Sequence, residues 1–460
     1  MKFKQTAVFA LSLGGLIHLA HAEEVSQDFF PISLKNSSAQ ADAKGFVEDQ
    51  SLSGFTRNWY AREHTTRGTR FTYSDSTGKR IPTHSRTNWV QSTVLNYSSG
   101  FTQGTVGFAT EVAAYNAVAL ERDRQSVAGP RSNRTLTDSD GDVVGQWSKL
   151  GLANIKARVS NTTLTAGRQS MDTPMVATIG NRALPSSFEG ISINSEEFDN
   201  LSFQGGTFDR VSPRTEQSLS KFRTEYTNNK AETDRVSTLG VNYQPFKSVK
   251  SSLFATNVED FWNQYYLGIT HEMGDTQVVD ITTGLNYYKT KDAGSRKMGK
   301  IDNDTYSLSL TATHLAHSLT FAYQQVNGNE YFDYLHETNG IFLANSLFSD
   351  YNGPNEKSFQ VAYGLNMAEY GVPGLKFSIY TARGWGIDGT HYQGTAYDVK
   401  NLDGDKHYEY GIGASYAVQS GPLKASSIRV NYTAHRATAN QIDGSLDELR
   451  VVTTIPFNIL

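Results

Sequence analysis

Lys156 and Arg158 sit in a segment whose apolar positions, Ala153, Ile155, Ala157 and Val159, alternate with them, so an extended chain places both cations on the face opposite the apolar one. Arg429 stands in the same relation to Ile428, Val430 and Tyr432. Cations in this arrangement suit a carboxylate passing through a narrow wet space. Such an anion sheds part of its hydration, and a guanidinium replaces the lost hydrogen bonds two at a time while its charge opposes the desolvation cost. Several weak sites in series keep the anion moving.

Other chemistries find less support. His271-Glu272 and His336-Glu337 lack the second histidine of a zinc-protease helix, and no G-x-S-x-G elbow occurs. Asp138-Ser139-Asp140-Gly141-Asp142 and Asp403-Gly404-Asp405 lack the sixth-position glycine and distal glutamate of an EF-hand, and read as turns. The absence of cysteine removes disulfides, thiolate metal sites and cysteine nucleophiles together. No metal or other cofactor is implied. A formal charge of −4, with no basic-aromatic surface and no phosphate-cradling glycine loop, argues against nucleic acid as a partner.

The elements that must position these cations are strands. Tyr306, Leu308, Leu310 and Ala312 alternate with Ser307, Ser309, Thr311 and Thr313, and Leu319, Phe321 and Tyr323 resume the pattern after a short turn. The same period of two runs through 279–287, 359–367, 410–418 and 428–433. Runs of nine or ten residues match a tilted membrane strand, the second face is small or charged, and aromatics concentrate near strand ends, so an outer-membrane barrel fits better than a soluble sandwich. The 24 Tyr and 24 Phe supply the girdles such a barrel needs. No apolar run beyond the N-terminus approaches the length of a spanning helix, and mean hydropathy is −0.46, which excludes a helical membrane protein.

Residues 1–22 read as a secretory signal, with Lys2 and Lys4, an apolar stretch from Thr6 to Ala20, and the cleavage site Ala20-His21-Ala22. Residues 23–460 then form a single barrel domain. Short turns such as Gly371-Val372-Pro373-Gly374 and Ser420-Gly421-Pro422 suit the periplasmic side; the polar stretches 121–147, 289–304, 327–357 and 384–407 suit extracellular loops. Eighteen strands would give about 24 residues per strand with its connection, and sixteen is the nearest alternative. The stretch from Met171-Asp172-Thr173-Pro174 to Phe188-Glu189-Gly190 lacks sustained alternation, carries two prolines and is expected to be a loop.

The chain resembles the OprD family of outer-membrane, substrate-specific channels. The resemblance is carried by Gly45-Phe46-Val47-Glu48-Asp49 leading to Arg57-Asn58-Trp59-Tyr60 and Arg62, by Ser99-Gly100-Phe101-Thr102 with Gly104-Thr105-Val106-Gly107-Phe108, and by Leu150-Gly151 running into Lys156-Ala157-Arg158. It continues in Asn181-Arg182-Ala183-Leu184-Pro185, Tyr323-Gln324-Gln325-Val326-Asn327-Gly328, Gly371-Val372-Pro373-Gly374-Leu375 and Gln419-Ser420-Gly421-Pro422-Leu423-Lys424. It implies an all-β, antiparallel transmembrane barrel of 18 strands with inward-folded constriction loops, in the bacterial outer membrane, as a monomer or weak homotrimer. It also implies passive uptake of small organic acids past a ladder of Arg and Lys.

Through the resemblance Arg383 and Lys424, at strand ends, join the ladder. Arg57 and Arg62 are further candidates, although their odd spacing prevents them from sharing one face without a bulge. Asp172 and Arg182 would give the constriction loop opposite charges, and Asp302 could add a negative pole. Two departures bear on the solute: Arg383-Gly384-Trp385-Gly386-Ile387 replaces an expected acidic or amide residue, and Asn431 stands where a second arginine is expected after Arg429. The alternatives are a barrel enzyme such as a lipid hydrolase, disfavoured by the missing nucleophile motif, and a secreted β-rich adhesin without a pore, disfavoured by the cations opposite apolar faces.

Overall fold

A computed structural model describes residues 29–127, 136 and 144–460. The signal segment 1–22 lies outside the described residues, as do 138–142 and most of the connection around them. The chain forms β1 (Ser51–Thr65), a side hairpin of β2 (Phe71–Ser74) and β3 (Arg80–Thr83), then β4 (Ser85–Ser98), β5 (Gly107–Ala119), β6 (Gln146–Val159), β7 (Thr162–Gln169), β8 (Ser187–Ser195) and β9 (Leu201–Ser212). There follow β10 (Val236–Phe246), β11 (Val249–Val258), β12 (Trp262–Asp275), β13 (Val279–Asp292), β14 (Asp302–His314), β15 (His317–Asn327) and β16 (Lys357–Asn366). The last four are β17 (Leu375–Ile387), β18 (Asp405–Ala417), β19 (Ser427–Ala437) and β20 (Leu446–Asn458).

Apart from the side hairpin, every strand pairs antiparallel with its neighbours in sequence, and β20 pairs with β1 to close an 18-stranded barrel. Closure satisfies every backbone edge, which a sheet in lipid requires. The period of two then sorts side chains between two solvents. Ile155, Leu239 and Ile412 point outward and are 67%, 63% and 58% exposed, values tolerable only if lipid covers them. Their strand neighbours Asn154, Thr238 and Gly411 face the interior and are buried.

The interior is partly filled. Segments 170–186, 213–235, 328–356 and 388–404 fold inward, joined by bridges Thr178 to Thr338 and Thr224 to Leu335. They share an apolar core that includes Val176, Phe222, Leu335, Tyr392 and Val399, with Phe188, Phe208 and Trp262 from the wall. The stretch 327–357, expected as one extracellular loop, is thus largely a plug inside the barrel. Two other expected boundaries move as well. Phe188, Glu189 and Gly190 belong to β8, where a register shift at Glu189/Gly190 hides the alternation, and the connection expected at 289–304 shrinks to 293–301.

Candidate functional site

Three arginines on three adjacent strands face the lumen. Arg429 on β19 lies opposite Val452 of β20, Arg450 on β20 lies opposite both Asn431 of β19 and Ala61 of β1, and Arg57 on β1 lies opposite Thr454 of β20. Arg450 is paired with Glu448 at 2.8 Å. Arg57 is committed to the scaffold: Nε donates to Thr454 Oγ1 at 3.1 Å, and Nη1 donates to the carbonyls of Gly180 at 3.0 Å and Arg182 at 2.8 Å. Arg429 has no hydrogen-bond or ion-pair partner among the described residues. Of the three, Arg429 alone therefore offers its whole guanidinium fork to a passing solute.

Lys156 and Arg158 project from β6 into the same lumen, on the side of Asn154 and opposite Ile155. Lys156 is held by Glu111 of β5 at 3.1 Å, which tempers its charge. Arg158 ends the strand next to the short turn; its Nε donates to Gln40 Oε1 at 3.1 Å and its guanidinium stacks 3.8 Å from the centre of the Phe101 ring. Gln40 in turn donates to the carbonyls of Thr102 and Gly104, so the segment before β1 crosses the periplasmic mouth beside Arg158.

The 170–186 loop is pinned to the wall by Arg57, by Trp59 Nε1 donating to Asn181 O at 3.2 Å, and by Ser92 Oγ donating to Ala183 O at 2.7 Å. From the other side come Arg214 and Glu337, a buried pair with Nε–Oε2 at 2.8 Å and Nη2–Oε1 at 3.1 Å, and His336, whose Nδ1 meets Glu225. Burial alone raises the Glu337 pKa, but the charges of Arg214, His336 and Arg182 outweigh it and hold this carboxyl well below the usual range. Glu225 is likewise drawn down to about 2, against its burial, by His336, Arg214 and Arg182. The charge of Arg182 is thus answered by two glutamates from other loops. Asp172 sits on the exposed edge of its loop, where surrounding protein raises its pKa by desolvation.

A family model described as outer membrane porin, OprD family, matches residues 44–459. The chain belongs to the OprD family. Porin D of Pseudomonas aeruginosa is 36% identical over 92% of this chain and 94% of its own length. The crystal structure of Pseudomonas aeruginosa OccD3 (OpdP) superposes with a TM-score of 0.81 at 47% identity, covering 94% of this chain and 95% of that one, and porin-like protein GalP of Pseudomonas putida is 28% identical over 92% and 95%. As an OprD-family porin the protein lies in the bacterial outer membrane and serves substrate-specific uptake; these relatives are channels rather than enzymes.

Within this OprD-family barrel, four expected ladder or eyelet residues lie off the lumen. Arg62 is on the outer face of β1, five residues from Arg57, as the odd spacing requires. Arg383 shares the outward face of β17 with Phe377 and Ile379, and is exposed. Asp302 is on the outer side of β14, paired with Lys289 at 2.5 Å across to β13. Lys424 is exposed in the turn before β19. Conversely, Arg450 is hidden in the sequence because Val451 and Val452 follow it and blur the alternation; the signal that could reveal it is Glu448 two residues earlier, on the same face of an extended chain.

Proposed function

We propose that this OprD-family porin passes small carboxylate-bearing solutes passively through its lumen, with Arg429 as the principal contact. The supporting observation is the partner-free Arg429 guanidinium beside the Arg450 and Arg57 charges. A carboxylate arriving there gains a bidentate pair, and Arg57, whose contacts are to a hydroxyl and two carbonyls, adds positive potential, while the charge of Arg450 is tempered by Glu448. Lys156 and Arg158, on the wall across β4 and β5 from Arg57, give the anion its next contacts. On the inward loop Asp172 is exposed and presents a negative pole to the amine of a zwitterion, while the positive pole of Arg182 is shared with Glu337 and Glu225.

The test compares Arg429→Ala with wild type in liposome swelling, using a carboxylate and its amide analogue. Loss of one charge-assisted contact of about 1 kcal/mol lowers the carboxylate rate about fivefold and leaves the amide rate nearly unchanged. An unchanged carboxylate-to-amide ratio overturns the reading.

A further inference from the structure

The outer wall carries a cationic groove that lumen chemistry does not explain. It occupies about 670 Å³ at the extracellular rim and is lined by Arg67, Arg383, Lys406 and Arg436, with Tyr408 and Tyr410, and among the described residues by no carboxylate. The register brings these side chains together: Arg383 of β17 pairs with Tyr408 of β18, which pairs with Arg436 of β19. The two arginines therefore flank one tyrosine at roughly 10 Å between backbones. Lys406 is the next residue on the same face of β18, and Arg67 lies just beyond the end of β1.

Arg67, Arg383 and Lys406 make no side-chain ion pair among the described residues. Arg436 does pair, with Asp447 at 2.6 Å, but its bonds to Asp447 and to the carbonyls of His435 and Leu446 all use Nη1, leaving Nε and Nη2 open. Four cations around one space repel each other, and on a lipid-facing wall each is costly unless it reaches water or an anion. Snorkelling of isolated side chains would answer that cost by divergence; here the four line a single groove.

A second groove adjoins the first and is of opposite character. About 450 Å³ on the outer wall is lined by Leu285, Leu308, Leu310, Phe321 and Phe359, and Phe359 of β16 is the direct cross-strand partner of Arg383. Cations above an apolar channel, at the headgroup level of the outer leaflet, match one kind of molecule: an amphiphile with phosphate on its head and acyl chains below.

We infer that this face is a binding site for a phosphorylated glycolipid of the outer leaflet, its phosphate held by Arg67, Arg383, Lys406 and Arg436 and an acyl chain laid along the Leu308–Phe321–Phe359 groove. The guanidiniums offer paired donors to phosphate oxygens, and the exposed tyrosine hydroxyls lie at the same depth. The site would fix the lipid on one sector of the barrel, from β13 to β19.

The test uses delipidated full-length channel in detergent, titrated with bisphosphorylated lipid A, with the same lipid after removal of its phosphates, and with inorganic phosphate. The shift of the unfolding midpoint is read for wild type, Arg383→Ala/Lys406→Ala and the conservative Arg383→Lys. Phosphorylated lipid A alone should stabilise wild type, with apparent affinity falling about tenfold or more in the double variant and being largely kept by Arg383→Lys. Equal stabilisation by the dephosphorylated lipid would leave only the apolar groove and overturn the site. Stabilisation by inorganic phosphate would point to a free-anion site instead, and an unaltered response of the double variant would show that these cations hold nothing.

Discussion

Arg214 and Glu337, 123 residues apart in the chain, meet inside the barrel through two charge-assisted contacts, and each is more than nine-tenths buried. Arg214 comes from the connection between β9 and β10 and Glu337 from that between β15 and β16, so their contact ties together two parts of the wall six strands apart. Arg214 Nη1 also donates to Asn181 of the 170–186 loop at 2.5 Å. Three inward segments converge on one guanidinium. Removing either partner leaves an uncompensated buried charge at a cost of about 3–5 kcal/mol. Arg214→Ala and Glu337→Gln should each loosen the plug, seen as greater protease sensitivity of 328–356 and noisier single-channel current; quiet, protease-resistant channels in both variants would mean that the apolar core alone holds these loops.

The same pair sets a pH dependence. Because Glu337 is depressed in the folded protein, its contribution is fully present above the ordinary carboxylate pKa of about 4.5 and is lost only as pH falls through its much lower folded value. The Glu337 contribution itself should therefore stay level from pH 7 to about 5, while Glu330 and Asp333 of the same loop, raised by burial to about 7, make protease resistance fall modestly as pH rises across that interval. In Arg214→Met the carboxyl keeps its burial without its main opposing charge, so resistance should fall more steeply than in wild type as pH rises across that interval. A profile in the variant no steeper than that of wild type would show that Glu337 has another counter-charge of equal weight.

Arg57 and Arg429 should separate cleanly. Arg57→Lys keeps the charge but cannot donate to Thr454, Gly180 and Arg182 from one planar fork, so it should disturb neutral and anionic fluxes alike by displacing the loop. Comparing both fluxes with those of Arg429→Ala checks this; a purely anionic defect in Arg57→Lys would make Arg57 a solute contact.

Lys156 and Glu111 should act with opposite signs. Lys156→Ala exposes the Glu111 charge to the lumen and should lower carboxylate flux, whereas Glu111→Gln frees Lys156 and should raise it, each by about two- to fivefold. Reversal potentials in a salt gradient give the same two signs independently, and shifts of equal sign would defeat the pairing argument.

Outer-face charges should not matter to the solute. Arg62→Ala and Asp302→Asn are expected to leave the carboxylate-to-amide ratio within experimental scatter, and a change in either would mean that its strand parity differs from that observed.

The barrel is legible in the sequence because its period of two is enforced at every wall position by lipid on one side and water on the other. Lys156, Arg158 and Arg429 face the lumen as that parity requires. Arg383 obeys the same rule: counting from Phe377 and Ile379 puts it on the apolar face, where it is found, whereas the family pattern alone suggests the lumen. Arg214, Glu337 and Glu225 have no comparable signal, because an inward loop is packed from several directions and leaves no period in its sequence. Asp302 reads as a loop residue because the polar ends of β13 and β14 run past the apolar band.

The closing seam gives Arg57 a second significance. Thr454, its partner across β1 and β20, lies at the seam that closes the cylinder, so the guanidinium that donates to Gly180 and Arg182 is itself braced by the closing strand. Assembly and permeability control therefore share one side chain: the strand that seals the cylinder also steadies the arginine that seats the constriction loop. Thr454→Val, which removes that brace and leaves the strand pairing in place, should therefore give barrels that close normally but hold the loop less tightly.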